Sequence, residues 1–246
     1  MTTHNSVPDL DRPIAAAGDP GAESGGPGPR TAVRCAGAAY LLGVVLYVLP
    51  SALHGNPPID DAAATLDHVA GVAGWRIAHL ANILAVLLWV IATALLSSHR
   101  AFSGPLSRAA VAVWAVAAGV FGVYFGIHAI GLPAAADQLH APGADPAAVV
   151  ERTEALLLVL GSTAFVAQAL LGLALVVTGA MLARGGRTGR LLGTVGAVIG
   201  LGWTAGAVLL QFAVIVPFTT LAWVWFVVLG LLLCTGRLPS GRVARG

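Results

Sequence analysis

The sequence predicts an all-α integral membrane protein, a bundle of six transmembrane helices with both termini on the cytoplasmic side (N-in/C-in). The first observation is composition: of 246 residues, 57% are hydrophobic and only 10% are charged, whereas a soluble domain carries roughly 25% charged residues. The second is the arrangement of the apolar residues in long uncharged runs, which is typical of membrane-spanning helices. The third is the uneven distribution of arginine, which predicts the orientation.

Composition divides the chain into three parts. Residues 1–30 contain five proline and five glycine residues and lack hydrophobic periodicity, so they cannot bury enough apolar surface to offset the entropy lost on ordering. We expect a disordered cytoplasmic tail there. Residues 31–236 form the expected six-helix membrane domain, and residues 237–246 form a short basic tail that also lies in the cytoplasm.

Six apolar runs are each near the ~20 residues that a helix needs to cross a ~30 Å hydrocarbon core. The turn between the fifth and sixth runs is the least defined, because "QFAVIVPFTT" is apolar throughout. Pro217 is the best local marker of a break there, and five spans with one re-entrant hairpin is the alternative. The predicted spans are 35–53, 77–97, 109–131, 155–180, 191–211 and 214–234.

Arginine distribution predicts how the chain is threaded. With the N-terminus in the cytoplasm, 11 of the 13 arginines fall on the cytoplasmic side, and only Arg76 and Arg152 fall on the other. This asymmetry follows the positive-inside rule and predicts a multi-pass protein of the cytoplasmic (plasma) membrane. The lipid bilayer is therefore the expected partner. No basic cluster with interleaved aromatic residues occurs, so we expect no nucleic-acid partner.

Both outer loops are expected to contain helical structure. In "DPAAVVERTEALL", Asp145 is a plausible N-cap and the following proline suits the first helical position, so the fourth span is expected to project about two turns from the membrane. In "DDAAATLDHVAGVAGW", one helical face carries Leu66, Val69, Ala70 and Ala73, which predicts a short helix on the outer surface. Trp75 is expected at headgroup depth, where indole rings are favoured.

Glycines in the fifth span share one helical face. Glycine lets helix backbones approach closely, and such packing replaces the missing hydrophobic drive within lipid. The pattern favours tight packing inside one bundle, with a homodimer through this face as the alternative. The residues are Gly189, Gly193, Gly196 and Gly200.

Polar residues of five helices are predicted to lie together in the outer leaflet. His79 and Asn82 are three residues apart, so they share one face of the second span. Intramembrane polar side chains usually face the bundle interior and often mark a functional site. The predicted ligand pocket consists of His54, His79, Asn82, His128, Glu154 and Gln211.

Several functions fit this cluster. The histidines could serve structure alone, by hydrogen-bonding neighbouring helices. They could form the polar end of a pocket for a small or lipid-like ligand, or for a partner. His54, His79 and His128 could instead bind zinc or copper, with Glu154 or water completing the site, and His79 with His128 could hold haem b.

A non-catalytic membrane protein is the favoured interpretation, and no cofactor is predicted. No activated-serine motif occurs, and the two cysteines lie near the reducing cytoplasmic face. A metal- or haem-dependent membrane enzyme that uses the three histidines is the alternative. A transporter is disfavoured because no carboxylate or arginine lies near the predicted membrane midplane.

One stretch resembles a known family. In "YLLGVVLYVLPSALHGNPPIDDAAATLDHVAGVAGWRIAHLANILAVLLWVIATALL" the first span ends in His54, Pro57 follows, and Trp75 and His79 open the second span. The third span, ending "GIHAIGLPAAADQ", is compatible with the same pattern. This resembles a bacterial family of polytopic membrane proteins, the domain of unknown function 4386, over about residues 35–235. The resemblance implies the membrane topology and no particular activity.

Overall fold

The structure, a computed structural model, describes residues 28–238. Over that range the chain is helical and contains no strand, so the predicted all-α class is confirmed. The elements in chain order are α1 (Pro29–His54), α2 (Ala62–Gly71), α3 (Trp75–Ser97), α4 (Pro105–Gly126), a π-helical segment (Ile127–Gly131), α5 (Leu132–Leu139), α6 (Pro146–Leu182), α7 (Arg187–Val208) and α8 (Phe212–Cys234).

Six of these helical runs are long and apolar enough to cross a membrane: α1, α3, α4 with its continuation into α5, α6, α7 and α8. The predicted six spans are therefore confirmed, and the chain is a multi-pass membrane protein. Most of the predicted tails, residues 1–27 and 239–246, lie outside the described residues. Where the description begins, α1 already starts at Pro29.

The spans form a closed ring in chain order. Helix α1 packs against α3 and α8, and the remaining neighbours are α3 with α4, α4 with α6, α6 with α7, and α7 with α8. Successive spans run in opposite directions, so the start of α1 and the end of α8 meet at one end of the bundle. We call this the arginine end, because eight of the ten described arginines lie there. The opposite end is the histidine end.

Aromatic side chains fill the interior of the ring, which the sequence analysis did not predict. Trp89 stacks on Phe226 with ring centroids 4.7 Å apart, and Tyr40 stacks on the same phenyl ring at 5.5 Å. The polar tips find partners, as buried polar groups require: the Tyr40 hydroxyl lies 2.8 Å from Thr93 Oγ1. This core joins α1, α3 and α8.

The glycine face of α7 is covered by the chain's own helices. Gly189, Gly193, Gly196 and Gly200 are all buried, and an added Cβ at Gly200 would lie 2.5 Å from the carbonyl oxygen of Gly172 in α6. The face therefore packs inside the bundle, as the favoured interpretation expected. A homodimer stays an untested prediction, and it would need a surface other than these glycines.

The turn between the fifth and sixth spans lies earlier than predicted. Pro217 was taken as the marker of the break, and this was wrong: Pro217 lies inside α8, and the break falls at residues 209–211. Membrane helices tolerate proline because neighbouring groups satisfy the freed carbonyl. Helices α7 and α8 are each long and apolar enough to span, which favours two spans over a re-entrant hairpin.

A Schellman motif ends α7 and makes this turn. The N–H of Gln211 donates to the Gly206 carbonyl at 2.8 Å, and the N–H of Leu210 donates to the Ala207 carbonyl at 3.2 Å, which are the two bonds of that motif. Leu210 has φ +55°, a left-handed conformation that glycine usually supplies. With leucine at this position, the sequence carries no glycine signal for the turn.

A small cap covers the histidine end. It consists of α2, α5 and the first turns of α6, which share an apolar cluster that includes Leu66, Val69, Leu132 and Val149. The predicted surface helix is confirmed as α2, although Ala70 and Ala73, expected on its apolar face, are exposed.

Aspartate side chains cap the N-termini of two of the three cap helices, α2 and α6. Asp61 Oδ1 accepts a hydrogen bond from the Ala64 N–H at 2.9 Å and caps α2. Asp145 Oδ1 accepts from the Ala147 and Ala148 N–H groups and caps α6, with Pro146 at the first helical position, as predicted. The 37 residues of α6 extend roughly 55 Å at 1.5 Å per residue. The helix is therefore far longer than the hydrocarbon core, and it carries the cap.

Candidate ligand site at the histidine end

Three of the predicted histidines meet at the histidine end of the bundle. His54 is the last residue of α1, His79 lies in the second turn of α3, and His128 lies in the π-helical segment. The ring centroids of His54 and His79 are 4.6 Å apart, and those of His79 and His128 are also 4.6 Å apart, with an interplanar angle of 7° in the second pair. The three imidazoles therefore form one stack, which we call the histidine stack.

The histidine stack consists of one half-buried ring and two buried rings. His54 is half-buried at the cap, whereas His79 and His128 are only 1% and 6% exposed. Phe125 covers the inner side, with its ring centroid 5.5 Å from that of His79. The stack thus connects the surface of the bundle to its interior.

Trp75 belongs to this cluster, and protein surrounds its ring. Its depth relative to the headgroups stays a prediction. Its side chain is 3% exposed, and its ring lies 4.3 Å from His79 and 5.0 Å from His54, measured between centroids. The indole N–H donates to the backbone carbonyl of His128 at 2.7 Å. Trp75 therefore ties the start of α3 to the π-helical segment.

The π-helical segment explains why that carbonyl needs an indole donor. In an α-helix the His128 carbonyl would accept from the N–H of Leu132, but this N–H donates to Ile127 instead. In the wider π register the donor would be residue 133, which is proline and has no N–H. A buried carbonyl without a partner is destabilising, and Trp75 supplies the missing bond.

Backbone hydrogen bonds fix the tautomers of two histidines. His79 Nδ1 lies 2.7 Å from the Trp75 carbonyl oxygen, and His54 Nδ1 lies 2.5 Å from the Gly55 carbonyl oxygen. A carbonyl only accepts, so each Nδ1 carries a proton, and in the neutral ring each Nε2 carries the lone pair. Both rings therefore offer an acceptor atom.

His128 differs from the other two. Neither of its ring nitrogens has a hydrogen-bond partner, although both are buried. Buried polar atoms in proteins are nearly always paired, so an unpaired one calls for a physical explanation. Around this ring stand His79, Trp75 and the ring of Tyr124, whose centroid is 4.9 Å away.

Asn82 lies one turn deeper and serves a different purpose. It is fully buried, and with its amide oriented so that both ends are satisfied, Nδ2 donates to the carbonyls of Leu46 and Tyr47 at 3.2 and 3.1 Å. Its oxygen then accepts from the Ser51 hydroxyl at 3.3 Å. Asn82 therefore joins α3 to α1, and its hydrogen-bonding capacity is used within the fold.

Two other predicted residues lie apart from the stack. Glu154 and Gln211 are both exposed, and within residues 28–238 no side-chain hydrogen bond or ion pair joins either of them to a histidine. Gln168, a polar residue within α6, accepts a hydrogen bond from the Trp203 indole N–H at 2.8 Å and does not join the histidines. The structure thus brings together His54, His79 and His128, and it places Asn82 one turn deeper on α3.

His68 of α2 was missed by the sequence analysis. Its Nε2 donates to the His54 carbonyl at 3.3 Å, and its ring lies edge-on to Trp75 at 5.8 Å. Nearby, His140 and Asp67 form an exposed ion pair of 3.4 Å between α5 and α2, and exposed pairs of this kind contribute little to stability. The cap therefore contacts the histidine stack through His68.

The metal and haem alternatives can be compared with this geometry. Among the described residues, no group of three or more His, Cys, Asp or Glu side chains is arranged around a common point as metal ligands are. His79 and His128 lie face to face, so a porphyrin between them would require other side-chain positions. Either cofactor would need the rings to rotate.

The comparisons with known proteins can now be set beside this site. The family model described as "Domain of unknown function (DUF4386)" matches residues 35–236. The chain belongs to this family. The match extends from α1 to the end of α8, so the DUF4386 domain includes the whole ring of spans, the cap and the histidine stack. Neither the curated proteins nor the solved structures contain a match to the chain.

Proposed function

We propose that this DUF4386 protein is a non-catalytic membrane protein that binds a small or lipid-like polar ligand at the histidine end. The observation that carries the proposal is His128, whose two ring nitrogens are buried without partners. A neutral imidazole offers one donor and one acceptor. A ligand hydroxyl, amide or headgroup phosphate oxygen is therefore the kind of group that would pair with it.

The surrounding residues support this choice of site. Trp75, His79 and His54 lie between the half-buried edge of the bundle and His128, and the Nε2 atoms of His54 and His79 are acceptors. Ligand sites are mostly apolar with a few placed polar groups, which matches aromatic rings around these imidazoles. Entry of a ligand requires the cap helix α2 to move, because His68 contacts both His54 and Trp75.

Replacing His128 by phenylalanine tests the ligand proposal. We expect the free energy of unfolding of the His128→Phe protein to rise by about 1–3 kcal/mol, because the variant no longer buries unpaired polar atoms. We also expect the variant to bind the ligand about tenfold more weakly than the wild type, because the hydrogen bond to the imidazole is lost. The protein would be extracted from bacterial membranes in polymer nanodiscs. Native mass spectrometry would report bound molecules, and an unfolding titration would report stability.

His140→Phe is the matched control, because His140 is an exposed histidine of the same end. It is expected to keep the bound species and the wild-type stability. The ligand proposal would be wrong if His128→Phe destabilised the protein while the wild type and both variants carried the same bound molecules. His128 would then serve the fold alone.

A transition-metal site is the second candidate, favoured by one observation. His54 and His79 each donate Nδ1–H to a backbone carbonyl, which is the outer bond that metal-ligating histidines usually make. Metal content after equilibration with Zn²⁺ or Cu⁺ and desalting would test it. One equivalent of bound metal in the wild type, absent from both His54→Phe and His79→Phe, would favour the metal site. A metal content of the wild type well below one equivalent would exclude that site.

We also propose that the arginine end faces the cytoplasm of the plasma membrane. Seven carboxylates and two arginines of the described residues lie at the histidine end, against eight arginines and no carboxylate at the other. The positive-inside rule favours this orientation.

Cysteine labelling tests the orientation. In a Cys35→Ala/Cys234→Ala background, Ala141→Cys places an exposed thiol at the histidine end, and Ser103→Cys places one at the arginine end. An impermeant maleimide should label Cys at position 141 in intact cells and Cys at position 103 only after lysis. The reverse pattern would overturn the orientation and leave the ligand proposal standing.

A further inference from the structure

A cavity of about 390 Å³ lies at the arginine end, where residues of α1, of α8 and its C-terminal continuation, and of the loop after α3 line it. Its volume is within the range of small-molecule sites, about 300–1,000 Å³. Three nitrogen-bearing side chains line it, those of Arg30, Arg34 and His99. The remaining lining is mostly apolar, from Val33, Phe102, Leu233 and Leu238. The cavity is thus cationic on part of its wall and apolar on the rest.

The cationic side chains of this cavity have no acidic neighbour among the described residues. All seven described carboxylates lie at the opposite end of the bundle, and the one ion pair within residues 28–238 joins His140 to Asp67 there. Arg30 and Arg34 are one helical turn apart on α1, so their side chains project from the same face. Two arginines so placed can bind two oxygen atoms of one anion.

His99 supplies a third donor. Its Nδ1 accepts a hydrogen bond from the Ala101 N–H at 3.3 Å. In the neutral ring the proton therefore resides on Nε2, which acts as a donor. His99 is half-buried and its ring lies 6.0 Å from that of Phe102, which places this donor beside the apolar wall.

From these observations we infer that the cavity binds a phosphate group through Arg30, Arg34 and His99, with apolar substituents of the ligand on Phe102 and Leu233. A phosphate offers several acceptor oxygens to two guanidinium forks and one imidazole N–H. Basic pockets between membrane helices bind phospholipid headgroups in this way. The same chemistry would also accept a free phosphate, and the experiment separates the two sources. This site is independent of the histidine stack.

The test uses the full chain in detergent micelles and a double variant, Arg30→Gln/Arg34→Gln. Native mass spectrometry would count phosphatidylglycerol bound at increasing lipid concentration, with phosphatidylcholine as the zwitterionic comparison. We expect the wild type to bind one phosphatidylglycerol at least about tenfold more tightly than phosphatidylcholine. The double variant should lose that preference, since each charge-assisted hydrogen bond is worth about a tenfold change in affinity.

Arg187→Gln/Arg190→Gln is the matched control. It removes two exposed arginines from the same end of the bundle, outside the cavity, and so makes the same change in net charge. It is expected to bind phosphatidylglycerol as the wild type does. Equal losses in both double variants, or no preference over phosphatidylcholine in the wild type, would overturn the site.

Inorganic phosphate and Phe102→Ala identify the source of the phosphate group. A phospholipid ligand predicts that Phe102→Ala weakens phosphatidylglycerol binding while millimolar inorganic phosphate fails to displace the lipid. A soluble ligand predicts the opposite: inorganic phosphate displaces the lipid only when Arg30 and Arg34 are present, and Phe102→Ala leaves phosphatidylglycerol binding unchanged. That result would support a phosphate site for a soluble ligand. Absence of any binding that depends on Arg30 and Arg34 would contradict both.

Discussion

Gly200→Ala is expected to lower the free energy of unfolding by about 3 kcal/mol, the upper part of the range for overpacked cores. The new Cβ would lie 2.5 Å from the Gly172 carbonyl oxygen and 2.7 Å from the Val176 backbone nitrogen. Both are backbone atoms of α6, so no side-chain rotation relieves the contact, and the two helices must separate. Unfolding by SDS titration, or by steric trapping in bicelles, would measure the change.

Gly122→Ala is the control for this substitution. Gly122 also lies inside a membrane-spanning helix, α4, but an added Cβ there meets no atom within 4 Å. Alanine has the higher helix propensity, so we expect stability equal to or slightly above that of the wild type. If the two variants are equally stable, the close packing of α6 and α7 described above is incorrect.

Each sequence pattern predicts only the part of the fold that it depends on. Long apolar runs report the length of each span, and the arginines report its direction, so the number of spans and their antiparallel order could be predicted. The turn at Leu210 could not, because its left-handed residue is not glycine. The π-helical segment was missed as well, since an apolar run looks the same in either helical register. The third span, predicted to end at residue 131, in fact continues directly into α5.

The sequence analysis could predict only the depth of each site residue along its span. Counting residues from the ends of the spans placed His54, His79 and His128 at one level, and the structure brings them together. Glu154 and Gln211 lie at the same end but are exposed. Depth says nothing about rotation around the helix axis, which packing with neighbouring helices determines. The contact of Trp75 with His54 and His79 was missed for the same reason, because sequence position alone does not say which way the side chain faces.

Trp75→Phe is the second change with a large expected effect. It keeps an aromatic ring beside His54 and His79 but removes the indole N–H that donates to the His128 carbonyl. That carbonyl has no other donor, because the Leu132 N–H bonds to Ile127 and residue 133 is proline. We expect a loss of about 1–3 kcal/mol in the free energy of unfolding, the cost of a buried group left unpaired.

Trp223→Phe and Pro133→Ala make this prediction specific. The Trp223 indole N–H is buried without a partner, so Trp223→Phe breaks no hydrogen bond and should not show the loss of about 1–3 kcal/mol expected of Trp75→Phe. In a Pro133→Ala background, residue 133 regains an N–H that can donate to the His128 carbonyl, and the penalty of Trp75→Phe should fall by about 1 kcal/mol. Additive effects of the two substitutions would show that this carbonyl does not depend on Trp75. A positive coupling would tie the start of α3 to the π-helical segment, and with it the position of the unpaired His128 ring that the proposed ligand would meet.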